Sequence, residues 1–240
     1  MCGISGIFFF KEKKKVRRSD LIKMNKLLKH RGPDASDVWL SKDKKLGLGH
    51  TRLSILELSS SANQPFIDEK GNYVLTFNGE IYNFKEIKKN LLGKGYRFRT
   101  KNSDTEVLLF SYMEWGLKCV EKFRGMFAFA IWDNIKKKIF LVRDRVGIKP
   151  LYYKLDSDKL IFASEIKAIL TDKNYTPEID EESMFHYMSF LCTPAPQTMF
   201  KKINKLEPGT WISLDNFGNF KKKKYWDPLK NKEVYKLQNI

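Results

Sequence analysis

Between residues 126 and 165 four short apolar runs follow one another with only turn-length gaps: MFAFAIWD (126–133), KKIFLVRD (137–144), PLYYKL (150–155) and KLIFASE (159–165). Parallel neighbours need a crossover of a dozen residues or more, so a run this dense pairs antiparallel, as hairpins. The earlier sequence agrees: GISGIFFF (3–10), VWLS (38–41), LGLGHTRLSIL (46–56) and NYVLTFN (72–78) read as strands separated by turn residues. Helices are fewer. Ser19-Asp20 opens one with Leu21, Ile22, Met24, Leu27 and Leu28 on one face, stopped at Gly32-Pro33. Phe84 to Leu92 forms a second, ended by Gly93 and Gly95, and Ser103-Asp104-Thr105-Glu106 reads as a capping box opening a third over 104–115. Strands do not alternate with helices, which excludes a parallel βαβ sheet and predicts an α+β fold of two antiparallel sheets with helices packed outside.

From about Thr176 the texture changes. A helix is predicted over 179–190, a Pro-bearing loop over 192–200, and a Pro-Gly turn leading into a strand over 205–215. The last stretch is polar and ends without a cap, as a connector into further chain would. The chain is accordingly divided into a core, 1–190, and C-terminal strands with a connector, 191–240.

With 42% hydrophobic and 14% aromatic residues in 240, the chain can build a proper core. Its three cysteines (Cys2, Cys119, Cys192) lack C-x-x-C spacing, and with three scattered histidines neither a disulfide framework nor a metal cluster is expected. No apolar run approaches the ~20 residues of a membrane span. The start MCGISGIFFFKEKKK carries its charge after the apolar stretch, the reverse of a signal peptide. A cytoplasmic protein without membrane contact is expected. The net charge of +17 is carried by lysine runs at 11–15, 136–138 and 221–224 without interleaved aromatics. That pattern fits solvated faces better than a nucleic-acid surface.

Cys2 becomes the first residue once Met1 is removed, which the small following side chain favours. It would then carry a thiol and an α-amine of pKa roughly 7.7–8.0, a nucleophile and its base on one residue. The bland alternative is a buried small hydrophobe. A glutamine-like substrate would further need a guanidinium for its α-carboxylate, a carboxylate for its α-ammonium, and donors at the developing oxyanion. Arg52 lies in an otherwise apolar strand and either finds an anion or faces outward at an edge. Asn78-Gly79 is either a hairpin turn or a pair of oxyanion donors, and the continuation EIYNF without a matching short strand weakens the turn. Asp104 at a helix start is explained by the helix dipole alone. His50 reads as a satisfied core histidine. Cys119 and Cys192 sit in apolar sequence and look inert, and Arg143, Asp144 and Arg145 suggest an ion-pair network beneath the hairpins.

Taken together, MCGISGIF, HRGPD (30–34), GHTRLSI (49–55), FNGEIYN (77–83), SDTEV (103–107) and GMFAFAIWD…LVRDRVGIKPLYY…FASEIKAIL resemble, in colinear order, the glutaminase domain of asparagine synthetase, a class II glutamine amidotransferase. The resemblance implies a four-layer αββα sandwich of the N-terminal-nucleophile hydrolase type. It implies Cys2 as nucleophile, Asn78 and Gly79 as oxyanion donors, and Arg52 as the ligand of the glutamine carboxylate. The backbone of Leu53, Ser54, Ile55, Leu56 and Glu57 would line that side, and Asp104 with Glu80 would hold the α-ammonium. L-glutamine is the implied substrate. ATP and Mg are expected only in an ATP-pyrophosphatase synthetase domain, whose SGGxDS-like loop does not occur in this sequence. Partners implied are that domain, in cis or as a separate subunit, and a second copy of the chain. The alternatives are a stand-alone glutaminase or an ammonia donor for another amide-forming ligase, since related ligases share this half. A catalytically idle binding module is the reading from another class, and the intact Cys2-Gly3 start speaks against it.

Overall fold

The period-two runs fold as strands, and the computed structural model describes residues 1–11, 14–55 and 57–229. In chain order the elements begin β1 (Gly3–Phe9), α1 (Arg18–Leu28), β2 (Ala35–Leu40), β3 (Leu46–Arg52), β4 (Phe66–Ile67) and β5 (Tyr73–Ile81). There follow α2 (Phe84–Gly93), α3 (Asp104–Trp115), α4 (Cys119–Lys122), β6 (Gly125–Asp133), β7 (Lys138–Arg143), β8 (Tyr152–Leu155) and β9 (Lys159–Ala163). The chain continues through α5 (Ile166–Ile169), α6 (Glu181–Phe190), β10 (Asn204–Lys205), β11 (Thr210–Asp215) and β12 (Phe220–Lys224).

Two six-stranded sheets result, ordered β10-β8-β9-β1-β3-β2 and β12-β11-β7-β6-β5-β4, with every named pairing antiparallel. Strands such as MFAFAIW are apolar on both sides because both faces of each sheet are covered. Val74, Ala128 and Ala130 face Ile4, Phe8 and Leu48 across the gap between the sheets. The alternate residues Leu75, Phe77, Phe127 and Phe129 pack against Leu91 of α2, Leu108 and Tyr112 of α3, and Val120 of α4. On the far side Ile7, Ile161 and Ala163 meet Leu21, Met24 and Leu28 of α1 and Ile169 of α5. The layers are therefore α, β, β, α, as expected. Beyond residue 190, β10 extends one sheet, and β11 with β12 extends the other.

Several local expectations are corrected. In α1 only Leu21, Met24 and Leu28 of the apolar set are buried, while Ile22 and Leu27 face solvent, because the contact with β1 and β3 is narrower than the apolar stripe. The capping box does not form. Ser103 makes no side-chain cap, and Glu106 reaches instead to the N–H groups of Arg99 and Thr100, both at 2.8 Å, and the Thr100 hydroxyl at 2.5 Å. Cys192 is exposed rather than set in apolar surroundings, whereas Cys119 is buried as expected. The lysines of 221–224 are all exposed on the edge strand β12, where charge discourages pairing with another sheet. Glu12 and Lys13 of the first lysine run, and the connector from 230 on, lie outside the described residues.

The Arg143-Asp144-Arg145 group is structural, but not as ion pairs. Fully buried Asp144 accepts from the N–H groups of Phe127 (3.1 Å), Val146 (3.2 Å), Ile148 (2.9 Å) and Lys149 (2.9 Å). Arg143 donates to the carbonyls of Lys149 (2.8 Å), Leu206 (2.6 Å) and Gly147 (2.6 Å). Together they fix the turn between β7 and β8 against β6 and the segment before β11. Asp144→Ala strands those N–H groups in the interior. It is expected to cost about 4 kcal/mol, a fall of roughly 10 °C in thermal unfolding. Asp144→Asn, which keeps one acceptor, should lose less, and equal melting of Asp144→Ala and the parent would refute the account.

Candidate active site

Cys2 lies immediately before β1, the strand flanked by β3 and β9, so a central strand sets its position. Its Sγ accepts from the Leu53 N–H at 3.4 Å and lies 3.7 Å from the Leu53 carbonyl. Only glycine fits next, since a Cβ on Gly3 would come within 2.6 Å of Thr51 Oγ1 and 2.9 Å of Leu28 Cβ. Arg31 Nε donates to the Cys2 carbonyl at 3.0 Å, and Arg31 Nη1 is held by Glu165 at 2.9 Å. Burial alone would raise the Glu165 carboxyl, but hydrogen bonds from Arg31, His30 and Lys167 bring it down to about 2. Arg31 therefore has a permanent anion. Burial pushes the Cys2 thiol above its usual value, against the pull of the Leu53 N–H, the amino terminus and Arg52. With Met1 attached, the thiol is protonated at neutral pH.

Arg52 ends β3 and is 7% exposed. Its guanidinium donates to the Ser59 carbonyl (2.9 Å), to Asn63 Oδ1 (2.7 Å) and to the Glu57 carbonyl. All three are neutral acceptors, and among the described residues no carboxylate pairs with it. These bonds draw residues 57–63 around the side chain, which is why the predicted strand over 46–56 stops at Arg52. Asp34 Oδ2 fixes the turn by accepting from the Ser54 N–H at 2.7 Å.

Asn78 and Gly79 do not form a turn; they lie inside β5, paired with Ala128 and Phe127 of β6. Alternation places the Asn78 side chain with Val74 and Thr76 on the face toward the other sheet, the side on which Cys2 lies. Asn78 is 1% exposed and its Nδ2 has no partner. The N–H groups of Phe77 and Ile81 point to the same edge of β5, where Gln64 Oε1 (2.6 Å) and Asp104 Oδ2 (3.0 Å) accept them. Gly79 lies between these two, so its N–H points to the same edge. A Cβ there would meet the Met126 carbonyl at 2.2 Å. Asp104 opens α3, 6% exposed, and burial, with Glu80 nearby, raises its carboxyl to about 6.

One cavity of about 140 Å³ brings together Cys2, Arg52, Leu53, Ile55, Asn78, Gly79, Glu80 and Asp104, with Met1 in its wall. Ser54 is not part of this lining, and Leu56 lies outside the described residues. Four residues with no assigned role also belong to the site or its support: Arg31, Glu165, Gln64 and Lys149. Arg31 and Glu165 lie in words quoted above, HRGPD and FASE, but nothing local marks them as neighbours 134 positions apart. His50, fully buried, donates from Nε2 to the Phe77 carbonyl at 3.1 Å, and burial lowers it to about 3. It is a neutral tie between the sheets.

A thiol at the head of a central strand, in an αββα sandwich, beside a cavity lined by Arg52 and the buried Asp104, gives the chain a fold of the N-terminal-nucleophile hydrolase type. Structural comparison agrees on the fold. A glutamine phosphoribosylpyrophosphate amidotransferase from B. subtilis superposes with a TM-score of 0.67 at 19% identity, over 93% of this chain and 49% of that one. The chain belongs to the family described as the glutamine amidotransferase domain, whose model matches residues 1–226. Among curated proteins, asparagine synthetase [glutamine-hydrolyzing] 1 of Bacillus subtilis is 40% identical over 94% of the chain. A putative asparagine synthetase [glutamine-hydrolyzing] 2 of Methanocaldococcus jannaschii is 37% identical over 100% of this chain. The chain spans only 35% and 49% of those two proteins. Amidase chry2 of Gibberella zeae is 38% identical over 84% of the chain.

Proposed function

We propose that this chain hydrolyses glutamine at Cys2 and is the ammonia-supplying half of a cytoplasmic asparagine synthetase. The observation that carries the reading is the single cavity that gathers the Cys2 thiol, the unpaired Arg52 guanidinium, the orphaned Asn78 amide and the Asp104 carboxylate from four separate elements.

Met1 is removed, and the freed α-amine of Cys2 takes the thiol proton, through a water. The thiolate adds to the side-chain amide carbon of glutamine, and Asn78 Nδ2 and the Gly79 N–H hold the oxyanion. Arg52 holds the α-carboxylate, beside the backbone of Leu53 and Ile55, and Asp104 with Glu80 holds the α-ammonium. Collapse breaks the C–N bond and ammonia leaves with the proton. Water then cleaves the γ-glutamyl thioester, releasing glutamate and restoring the thiol. Ammonia passes to a synthetase portion, in cis or as a separate subunit, which uses ATP and Mg to convert aspartate to asparagine; a homodimer is part of the proposal. The relative named as an amidase supports a second reading, a stand-alone glutaminase with no acceptor of its own.

The test is glutamate release from glutamine by purified chain whose intact mass shows Met1 removed, beside chain that retains it. Release only from the processed form supports the proposal; no release, also from a longer chain carrying the synthetase portion, leaves an idle module. A second expectation concerns pH. Because burial raises Asp104 to about 6, the free site loses its anion as pH falls through that value. kcat/KM for glutamine should therefore show an ionisation near pH 6 that is absent from kcat, since bound α-ammonium keeps the carboxylate charged. Asp104→Asn should lower kcat/KM by roughly 10- to 100-fold and remove that ionisation. The fold binds the Asp104 proton more tightly than the unfolded chain does, so the charged carboxylate costs stability above pH 6. The asparagine variant should then melt no lower than the parent at pH 8.

A further inference from the structure

Lys149 is a buried lysine, 4% exposed, in the wall of the Cys2 cavity. Its backbone is clamped from both sides, the N–H by Asp144 and the carbonyl by Arg143. The network around the β7–β8 turn therefore delivers this side chain to the cavity at a fixed height. The only partner of its ammonium among the described residues is the Met1 sulfur, at 3.1 Å. Among the described residues no carboxylate pairs with it, and a buried ammonium against a thioether is a poorly satisfied arrangement. Removal of Met1 takes even that partner away.

We infer that Lys149 is a positioning residue for the nucleophile: in the processed chain its ammonium faces the Cys2 thiolate and holds it as the anion. The inference rests on Cys2 being the nucleophile of the proposed reaction.

The charges around Cys2 leave this task to Lys149. From α3, Asp104 opposes a thiolate, and Glu80 from β5 acts on Lys149. Arg31, after α1, faces the amino terminus together with Asp34, but its guanidinium is bound to Glu165 and the Cys2 carbonyl. Arg52, from β3, also favours a thiolate, but its guanidinium is bound to three loop oxygens. Asp144, in the same turn, spends its oxygens on backbone N–H groups. Lys149 is the cation in this cavity with no oxygen partner. Burial lowers its ammonium while Glu80 raises it.

The test uses processed chain, confirmed by mass, and follows iodoacetamide alkylation of Cys2 from about pH 5.5 to about pH 9.5 by peptide mass spectrometry. The exposed Cys192 reports in the same sample as a reference thiol. Lys149→Met should raise the Cys2 midpoint by about one pH unit, roughly a tenfold slower alkylation at neutral pH, with Cys192 unchanged. Lys149→Arg should restore the parent midpoint to within a few tenths. A Lys149→Met midpoint equal to the parent's overturns the inference and leaves Lys149 to Glu80. Glutamate release by the parent, run in parallel, separates the two ideas. Release with an unmoved midpoint removes only the Lys149 role, whereas a moved midpoint in a chain that never releases glutamate removes only the glutamine reading.

Discussion

Cys2→Ala is expected to abolish glutamate release, to less than about one part in 10⁴ of the parent rate, while leaving glutamine binding within a few-fold. The reaction as proposed runs through a thioester, and alanine offers no atom to form one. Neither His50, tied between the sheets, nor Cys119, buried in the core beneath α3 and α4, lines the cavity to take its place. Binding should survive because Arg52 and Asp104 are held by contacts that do not involve the Cys2 side chain. Calorimetric titration of the variant with glutamine, beside a coupled glutamate assay, measures both. Cys2-independent release at more than a few per cent of the parent rate would refute the assignment of the nucleophile. Loss of binding together with release would instead mean that the thiol shapes the site.

Asn78→Ala carries the next largest effect, a loss of about 10²–10³ in turnover with a nearly unchanged KM. The amide is buried and unpartnered, which costs free energy in the resting protein and, in the proposed reaction, is recovered when a negative oxygen forms opposite it. Its position on the face of β5 toward Cys2 is fixed by pairing along the whole length of β6, so the donor waits in place. A variant that loses KM and turnover together would point to ground-state binding instead.

The fold was largely legible. Alternation and tight turns named the strands, and helix stops at Gly32-Pro33 and at Gly93 and Gly95 were followed closely. Where local pattern and structure differ, a competing contact decides. The strand over 46–56 ends at Arg52 because carbonyls of Glu57 and Ser59 bend back to its guanidinium, and nothing in GHTRLSIL announces that. Ser103 and Glu106 have the spacing of a capping box, yet the loop at Arg99 and Thr100 competes successfully for the glutamate. Asn78-Gly79 has the composition of a turn but lies inside a long strand, since β6 offers a partner for every residue from Tyr73 to Ile81. Arg143 and Asp144 attract each other on paper, whereas in the fold each is consumed by backbone groups.

The sequence by itself determined the sheets, their antiparallel sense and the chemistry at hand, because period, turn residues and a cysteine behind Met1 are local properties. Only the tertiary structure decided which charges stay unpaired. Burial and partners depend on residues far apart in the chain, so Arg31 finds Glu165 across 134 positions, Arg52 is left with neutral oxygens, and Lys149 is left with a methionine sulfur.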